Sequence, residues 1–171
     1  MNKQVATFAG GCFWCIEAAF NQVQGVIKAT SGYMGGHTAN PNYRDICTGT
    51  TGHAEVVQLE YDASVISYRQ LLEILFFLHD PTTLNRQGND VGTQYRSAVF
   101  IHDAQQQSQV QKFIAELAQQ QVYPAAIVTS LEPVATFYPA ENYHQGYALQ
   151  NPNQPYCQFL VLPKLAKFRQ Q

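Results

Sequence analysis

The chain has 171 residues and a formal net charge of −2, from 10 Lys and Arg residues against 12 Asp and Glu residues. Its hydrophobic share of 46% is typical of a globular protein with a buried core, and its length predicts one domain over residues 1–171. The sequence contains no basic run that would bind phosphates or anionic lipid, which argues against nucleic acid and membrane surfaces as partners.

The N-terminal sequence does not resemble an export or membrane segment. The apolar tract at residues 5–20 is interrupted by glycine, cysteine and glutamate residues, unlike a signal peptide or a membrane span. Four cysteines, two of them three residues apart, are too few and too clustered for the disulfide framework of a small secreted domain. We therefore expect a cytoplasmic protein with reactive thiols.

Hydrophobic periodicity and turn residues predict the elements in chain order. The first half contains a strand at 5–9, a helix at 12–23, a strand at 26–33, a long polar loop at 37–52 and a strand at 54–61. The second half contains a helix at 67–78 with Ser67 as its N-cap, a polar loop at 82–95, a strand at 97–101, a helix at 103–121, a short strand at 127–131 and a brief helix near 142–149. This order predicts an α+β fold: a single two-layer domain with a ferredoxin-like split βαβ plait, long loops and an extended C-terminal tail.

The strongest chemical signal is the segment Gly-Gly-Cys-Phe-Trp-Cys at residues 10–15, between the first strand and the first helix. A thiol at the start of a helix faces unpaired N–H groups and the positive end of the helix dipole, which favour the thiolate. Cys12 is therefore a candidate nucleophile, and Cys15, three residues later, could close a disulfide with it. Taken singly, Cys47 and Cys157 are better explained as buried fillers of the core.

The two aromatic residues between these thiols allow two interpretations. Phe13 and Trp14 are adjacent in the predicted helix, so they cannot both point into the core, and an exposed ring beside Cys12 would form an apolar pocket for a group such as a methyl. Packing of both rings in the core is the alternative.

Polar residues in the loops and at a strand start are further candidates. Glu55 lies in an otherwise apolar strand, where it is either a proton donor whose pKa is raised by burial or a surface acid on an edge strand. The hydroxyls of Tyr43 and Tyr95, with Asp90, could position an oxygen, or these residues could serve turns and packing. A zinc site is the weaker hypothesis, because only one Cys-x-x-Cys occurs and structural zinc sites usually present two close pairs of ligands.

Motifs along most of the chain, in order, resemble the peptide-methionine (S)-S-oxide reductases, the A-type methionine sulfoxide reductases. They are GGCFWCIE at 10–17, GYMGG at 32–36, Tyr43, TGHAE at 51–55, HDPT at 79–82, GNDVGTQYRS at 88–97, FYPAE at 137–141 and YHQ at 143–145. The resemblance implies that Cys12 attacks the sulfoxide sulfur and becomes a sulfenic acid. It also implies that Glu55 donates a proton, that Asp90, Tyr43 and Tyr95 polarise the sulfoxide oxygen, and that Phe13 and Trp14 hold the methyl group.

The same resemblance implies an intramolecular disulfide that thioredoxin reduces, with no metal and no organic cofactor. Either Cys15 or Cys157 could capture the sulfenic acid, and the short spacing to Cys12 favours Cys15. The expected substrates are oxidised proteins or free methionine sulfoxide. The alternative function is that of a Cys-x-x-Cys thiol–disulfide oxidoreductase or redox sensor.

Overall fold

The structure is a computed structural model that describes residues 1–151. Its strands are β1 (Lys3–Gly10), β2 (Val26–Met34), β3 (Ala54–Asp62), β4 (Arg86–Gln87), β5 (Asp90–Val91), β6 (Ser97–Ile101), β7 (Ser130–Pro133) and β8 (Tyr138–Pro139). Its helices are α1 (Phe13–Phe20), α2 (Tyr43–Cys47), α3 (Tyr68–Leu78), α4 (Ala104–Gln119) and α5 (Tyr147–Gln150), with short 3-10 turns at Thr93–Tyr95 and Asn142–His144. Within these residues no helix is long and apolar enough to cross a membrane.

Six strands form one sheet in the order β7-β6-β1-β3-β2-β8. β1 pairs antiparallel with both β3 and β6, and β2 pairs antiparallel with β3. Since α1 connects β1 to β2 and α3 connects β3 to β6, the four central strands form the split βαβ plait that the sequence predicts. β7 extends one edge in parallel with β6, and β8 extends the other edge antiparallel to β2. The predicted α+β class is confirmed.

The two faces of the sheet bury different residues, as strand alternation requires. On β1, Ala6 and Phe8 belong to the core cluster shared with the helices, whereas Ala9 belongs to a smaller cluster on the other face with Val56 and Phe100. On β3 the helix-facing row is Val57, Leu59 and Tyr61, all buried. Glu55 lies two residues before Val57 on β3, so its side chain is on the same face of the sheet. Its carboxyl therefore lies at the end of an apolar row.

Local hydrogen bonds explain where several elements begin. Ser67 is the N-cap of α3, as predicted, and its hydroxyl accepts from the N–H of Gln70 while the Gln70 side chain accepts from Ser67 N–H. Asp103 caps α4 by accepting from Gln106 N–H. An equivalent reciprocal pair at Asn42 and Asp45 begins α2, a helix inside the loop predicted for residues 37–52.

Three predictions about the later elements need correction. The strand predicted at 127–131 lies at Ser130–Pro133, and the helix predicted at 142–149 is a 3-10 turn followed by the four-residue α5. The polar loop at 82–95 contains the β4–β5 hairpin and a 3-10 turn. The rest of the extended C-terminal tail predicted from the sequence lies outside the described residues, which end at Asn151.

One end of the sheet carries the candidate catalytic residues. Gly10 at the end of β1 pairs with Ser97 at the start of β6, and Met34 at the end of β2 pairs with Ala54 at the start of β3. The N-terminus of α1, the loop between β2 and β3, and the loop between α3 and β6 therefore meet at this end.

Candidate active site

Cys12 lies at the turn from β1 into α1. It is the N-cap residue of α1, with extended backbone angles (φ −60°, ψ 124°), and its side chain is partly exposed. Gly11 before it has φ +91°, a conformation that glycine adopts without strain, so the chain can reverse from strand to helix here. The thiol therefore lies at the amino end of an eight-residue helix, as predicted.

Glu55 is the buried carboxyl of the site. It is 1% exposed on β3, which lies between β1 and β2 in the sheet, so the alternative of an edge-strand surface acid is wrong. Burial raises its pKa from 4.5 to about 8; a hydrogen bond from Phe13 N–H to Oε1 (3.2 Å) opposes the rise, and the charge of Asp90 adds to it. Glu55 thus holds its proton at neutral pH, and its carboxyl bonds the backbone N–H of the residue that follows Cys12.

The structure brings Tyr95 into the same neighbourhood. Burial raises the pKa of its hydroxyl, and the charges of Glu55, Asp90, Cys12 and Cys47 raise it further, because all of these groups lie within electrostatic range of the phenol. Tyr95 is therefore a neutral O–H donor within electrostatic range of the nucleophile and of both acids.

Tyr43, at the first position of α2, completes this group. Burial raises its pKa, followed by the charges of Glu55, Cys47 and Tyr95, and by a hydrogen bond with the Cys47 side chain. Its backbone N–H donates to Oε2 of Glu141 at 2.9 Å. The predicted pair of tyrosines thus converges on Glu55 from two different loops.

The structure separates the roles of Phe13 and Trp14. Phe13 is 1% exposed and packs in the core against Tyr33 (ring centroids 5.7 Å apart) and His144 (5.3 Å), so its ring does not line an open surface. Trp14 is partly exposed and stacks on Tyr147 with centroids 3.9 Å apart and planes 15° apart. Of the two predicted pocket residues, Trp14 therefore offers the accessible ring.

His144 is a residue of the site that the sequence reasoning did not single out. It is 2% exposed, its Nδ1 accepts from Trp14 Nε1–H at 3.0 Å, and its ring lies 4.4 Å from that of Tyr43. Burial lowers its pKa, against the opposing charge of Glu141, so the ring is neutral and Nε2 carries the proton. Its signal in the sequence was the YHQ segment, which the resemblance included without a role.

The aromatic wall formed by His144 and Tyr147 comes from a segment fastened to the sheet and to α1. Gln145 bonds both backbone groups of Ser31 on β2, through Oε1 at 3.0 Å and Nε2 at 2.9 Å. The carboxylate of Glu17, on α1, accepts from Gly146 N–H at 2.6 Å, and burial raises the pKa of Glu17. The wall is therefore held in place from two directions.

The three cysteines within residues 1–151 have distinct environments. Cys15, at the third position of α1, is 4% exposed. Cys47 is exposed at the end of α2, so the expectation of a buried filler is wrong for this residue. Cys157 lies outside the described residues. Among residues 1–151, no group of three or more His, Cys, Asp or Glu side chains could hold a metal ion.

This arrangement combines a helix-terminal thiol, a buried acid that keeps its proton, two neutral phenols and an accessible indole. Such a set can attack a soft electrophilic centre, protonate an oxygen that leaves it, and hold an apolar substituent beside it.

Comparisons with known proteins identify the family of this chain. The family profile described as peptide methionine sulfoxide reductase matches residues 4–171. A relative from Pasteurella multocida, named peptide methionine sulfoxide reductase MsrA, is 57% identical over 164 residues, 96% of this chain and 93% of that protein. A relative of the same name from Halobacterium salinarum is 53% identical over 171 residues, 100% of this chain and 97% of that protein.

Solved structures give the same result. The crystal structure of Mxr1 from Saccharomyces cerevisiae in reduced form matches with a TM-score of 0.85 and 36% identity, over 91% of this chain and 90% of that one. A structure of Mxr1 in complex with Trx2 matches with a TM-score of 0.60 and 27% identity, over 85% of each chain. By sequence and by fold, this chain belongs to the peptide methionine sulfoxide reductase family, the MsrA enzymes.

Proposed function

We propose that the chain reduces the S epimer of methionine sulfoxide, free or within oxidised proteins, with Cys12 as the nucleophile. The observation that carries this proposal is the position of Cys12 at the start of α1, next to a buried Glu55 whose pKa is raised to about 8. A thiol whose ionisation is favoured at a helix N-terminus and a protonated carboxyl close to it are the two groups that cleavage of a sulfur–oxygen bond requires.

In the first step the Cys12 sulfur attacks the sulfoxide sulfur, and the sulfoxide oxygen takes the proton of Glu55. The oxygen then passes to Cys12, so methionine leaves and Cys12 becomes a sulfenic acid. The sulfoxide sulfur is reduced by two electrons and the cysteine sulfur is oxidised by two. Glu55 regains its proton from solvent before the next turnover.

The other substituents of the sulfoxide select the epimer. The hydroxyls of Tyr43 and Tyr95, with the carboxyl of Asp90, polarise the oxygen beside Glu55. The partly exposed ring of Trp14 receives the methyl group, while Phe13 lies in the core. When the sulfoxide oxygen and the methyl group are held on different sides, only one configuration at sulfur leaves the sulfur atom open to attack by Cys12.

A second thiol then attacks the sulfenic acid, which releases water and forms a disulfide. We assign this step first to Cys15, three residues along α1, with Cys157 as the alternative resolving thiol. Thioredoxin then reduces the disulfide, and the relative of known structure solved in complex with Trx2 supports a partner of this kind. Thiols that must be regenerated in this way suit a reducing compartment such as the cytoplasm.

The test is mass spectrometry with peptide mapping after one equivalent of S-epimer sulfoxide, without reductant. We expect one methionine per chain and a Cys12–Cys15 disulfide; a Cys12–Cys157 disulfide would keep the function and move the resolving role to the tail. Cys12→Ser should yield no methionine, whereas the matched control Cys47→Ser, whose hydroxyl can still bond the Tyr43 side chain, should still reduce the sulfoxide. Unchanged reduction by Cys12→Ser would refute the proposal. Reduction of disulfide substrates without any reaction with sulfoxide would instead favour a thiol–disulfide oxidoreductase.

A further inference from the structure

Gln87 is a buried polar residue that no step of the proposed mechanism uses. It is 7% exposed and lies between the turn that leads to Cys12 and the β4–β5 hairpin that carries Asp90. We propose that Gln87 is a positioning residue that sets the distance between Asp90 and Cys12. This inference rests on the proposed function, since it concerns how the oxygen-polarising carboxyl is placed relative to the nucleophile.

On the Cys12 side, the aliphatic part of Gln87 touches the backbone of Gly11. A Cβ atom placed on Gly11 would lie 2.6 Å from Cγ and 2.8 Å from Cβ of Gln87, so the turn and the hairpin are as close as a glycine permits. The neighbouring Gly10 packs on His79, where a Cβ would lie 3.0 Å from Cγ. The turn therefore rests against two side chains of the loop between α3 and β6.

On the hairpin side, Gln87 and Asp90 are direct cross-strand partners. The Gln87 amide bonds both backbone groups of Asp80: Oε1 accepts from its N–H at 3.0 Å, and Nε2 donates to its carbonyl oxygen. Nε2 also donates to Thr83 Oγ1 at 3.3 Å. Moving this side chain would break all three hydrogen bonds and leave the buried amide of Gln87 without these partners.

The backbone of Asp80, to which Gln87 is bonded, is fixed to the core through the preceding residue, His79. His79 is 7% exposed, and its ring bonds the Leu75 carbonyl oxygen on α3 and Ser97 Oγ on β6, each at 2.7 Å. Gln87 thus joins the hairpin to a rigid point of the core and to the turn before Cys12. Because a displacement of about 1 Å in a reacting group can cost about 100-fold in rate, this single side chain controls a catalytically sensitive distance.

The test compares Gln87→Met, which keeps a long apolar side chain against Gly11 but removes all three hydrogen bonds, with Leu84→Ala at a 70% exposed position of the same loop. We expect Gln87→Met to lower kcat for S-epimer sulfoxide by about 10-fold or more. The rate of Cys12 alkylation by iodoacetamide, which does not need Asp90, should stay within about 2-fold. Leu84→Ala should change neither rate.

A double-mutant cycle then identifies the path of the effect. In an Asp90→Asn background, Gln87→Met should cost little further activity, because the group it positions is already impaired. Independent, multiplying losses would overturn the inference, as would a parallel fall in alkylation rate, which indicates a general loosening of the fold.

A readout without substrate separates this inference from the proposed function. The N–H of Gly92 bonds the Asn85 carbonyl oxygen at 2.9 Å and closes the hairpin. Gln87→Met should speed hydrogen exchange at Gly92 by about 10-fold or more, even if the unsubstituted chain fails to reduce sulfoxide. Unchanged exchange would refute the anchoring role of Gln87, whatever the activity assays give.

Discussion

Replacement of Glu55 by Gln tests the buried acid through stability alone. The carboxyl has a pKa of about 8 in the fold and about 4.5 when unfolded. The contribution of Glu55 to the free energy of unfolding is therefore fully present below pH 4.5, where the carboxyl is protonated in both states. This contribution is lost progressively as the pH rises through 8. Compared with a group that stays neutral, Glu55 lowers the free energy of unfolding by about 1 kcal/mol at pH 5, about 3 at pH 7 and about 5 at pH 9. The reason is that the carboxyl ionises at a lower pH in the unfolded chain than in the folded one.

Gln is neutral at every pH and its amide oxygen can still accept from Phe13 N–H. The difference in free energy of unfolding between Glu55→Gln and the unsubstituted chain should thus grow by about 4 kcal/mol between pH 5 and pH 9. Urea unfolding of both proteins in reducing buffer at five pH values measures it, and the titrating groups that do not interact with Glu55 cancel in the difference. A difference that does not depend on pH would refute the burial argument.

The same substitution should also lower turnover. Loss of a general acid typically costs about 100-fold to 10,000-fold, and turnover of the unsubstituted chain should fall above pH 8 as Glu55 ionises. A pH profile of kcat for both proteins checks this, and an unchanged alkaline limb in Glu55→Gln would assign that limb to another group.

Three further substitutions test the surrounding structure. Trp14→Leu should raise KM for methionine sulfoxide by about 10-fold, near 1.4 kcal/mol, with a smaller change in kcat, as measured by steady-state kinetics; an unchanged KM would remove Trp14 from the methyl site. Arg96→Met breaks a half-buried bidentate pair with Glu132 (2.8 and 3.0 Å) and should lower the free energy of unfolding by about 2–3 kcal/mol in urea. Gly36→Ala would place Cβ 2.3 Å from the backbone nitrogen of His53, so a thermal scan should show a loss of about 4 °C or more.

The elements with strong periodicity or caps could be predicted from the sequence. Ser67 and Asp103 mark the starts of α3 and α4 because their side chains satisfy helix N–H groups locally. The five-residue α2 has too few turns for a periodic pattern, and only the reciprocal pair at Asn42 and Asp45 marked it. β7 was misplaced because its position depends on long-range parallel pairing with β6, which local sequence does not encode.

The residues proposed to carry out the reaction were predicted better than the residues that surround them. Cys12 and Glu55 could be predicted because a thiol at the start of a helix and an acid in an apolar strand can both be recognised from the neighbouring residues in the sequence. Cys47 was assigned to the core from the usual preference of cysteine for burial, yet it ends a short surface helix. His144 acts through contacts with residues about 130 positions away, and no local pattern reveals such a contact.

The aromatic wall of the site can form only late in the synthesis of the chain. Trp14 and the His144 that bonds it are 130 residues apart, so a ribosome adding about 5–20 residues per second makes the thiol about 10 s before the wall. During that interval the chain has the Cys12 thiol but lacks the contacts of His144 and Tyr147 with Trp14. The proposed methyl site is therefore completed only after Tyr147 has been added, when most of the chain has already been made.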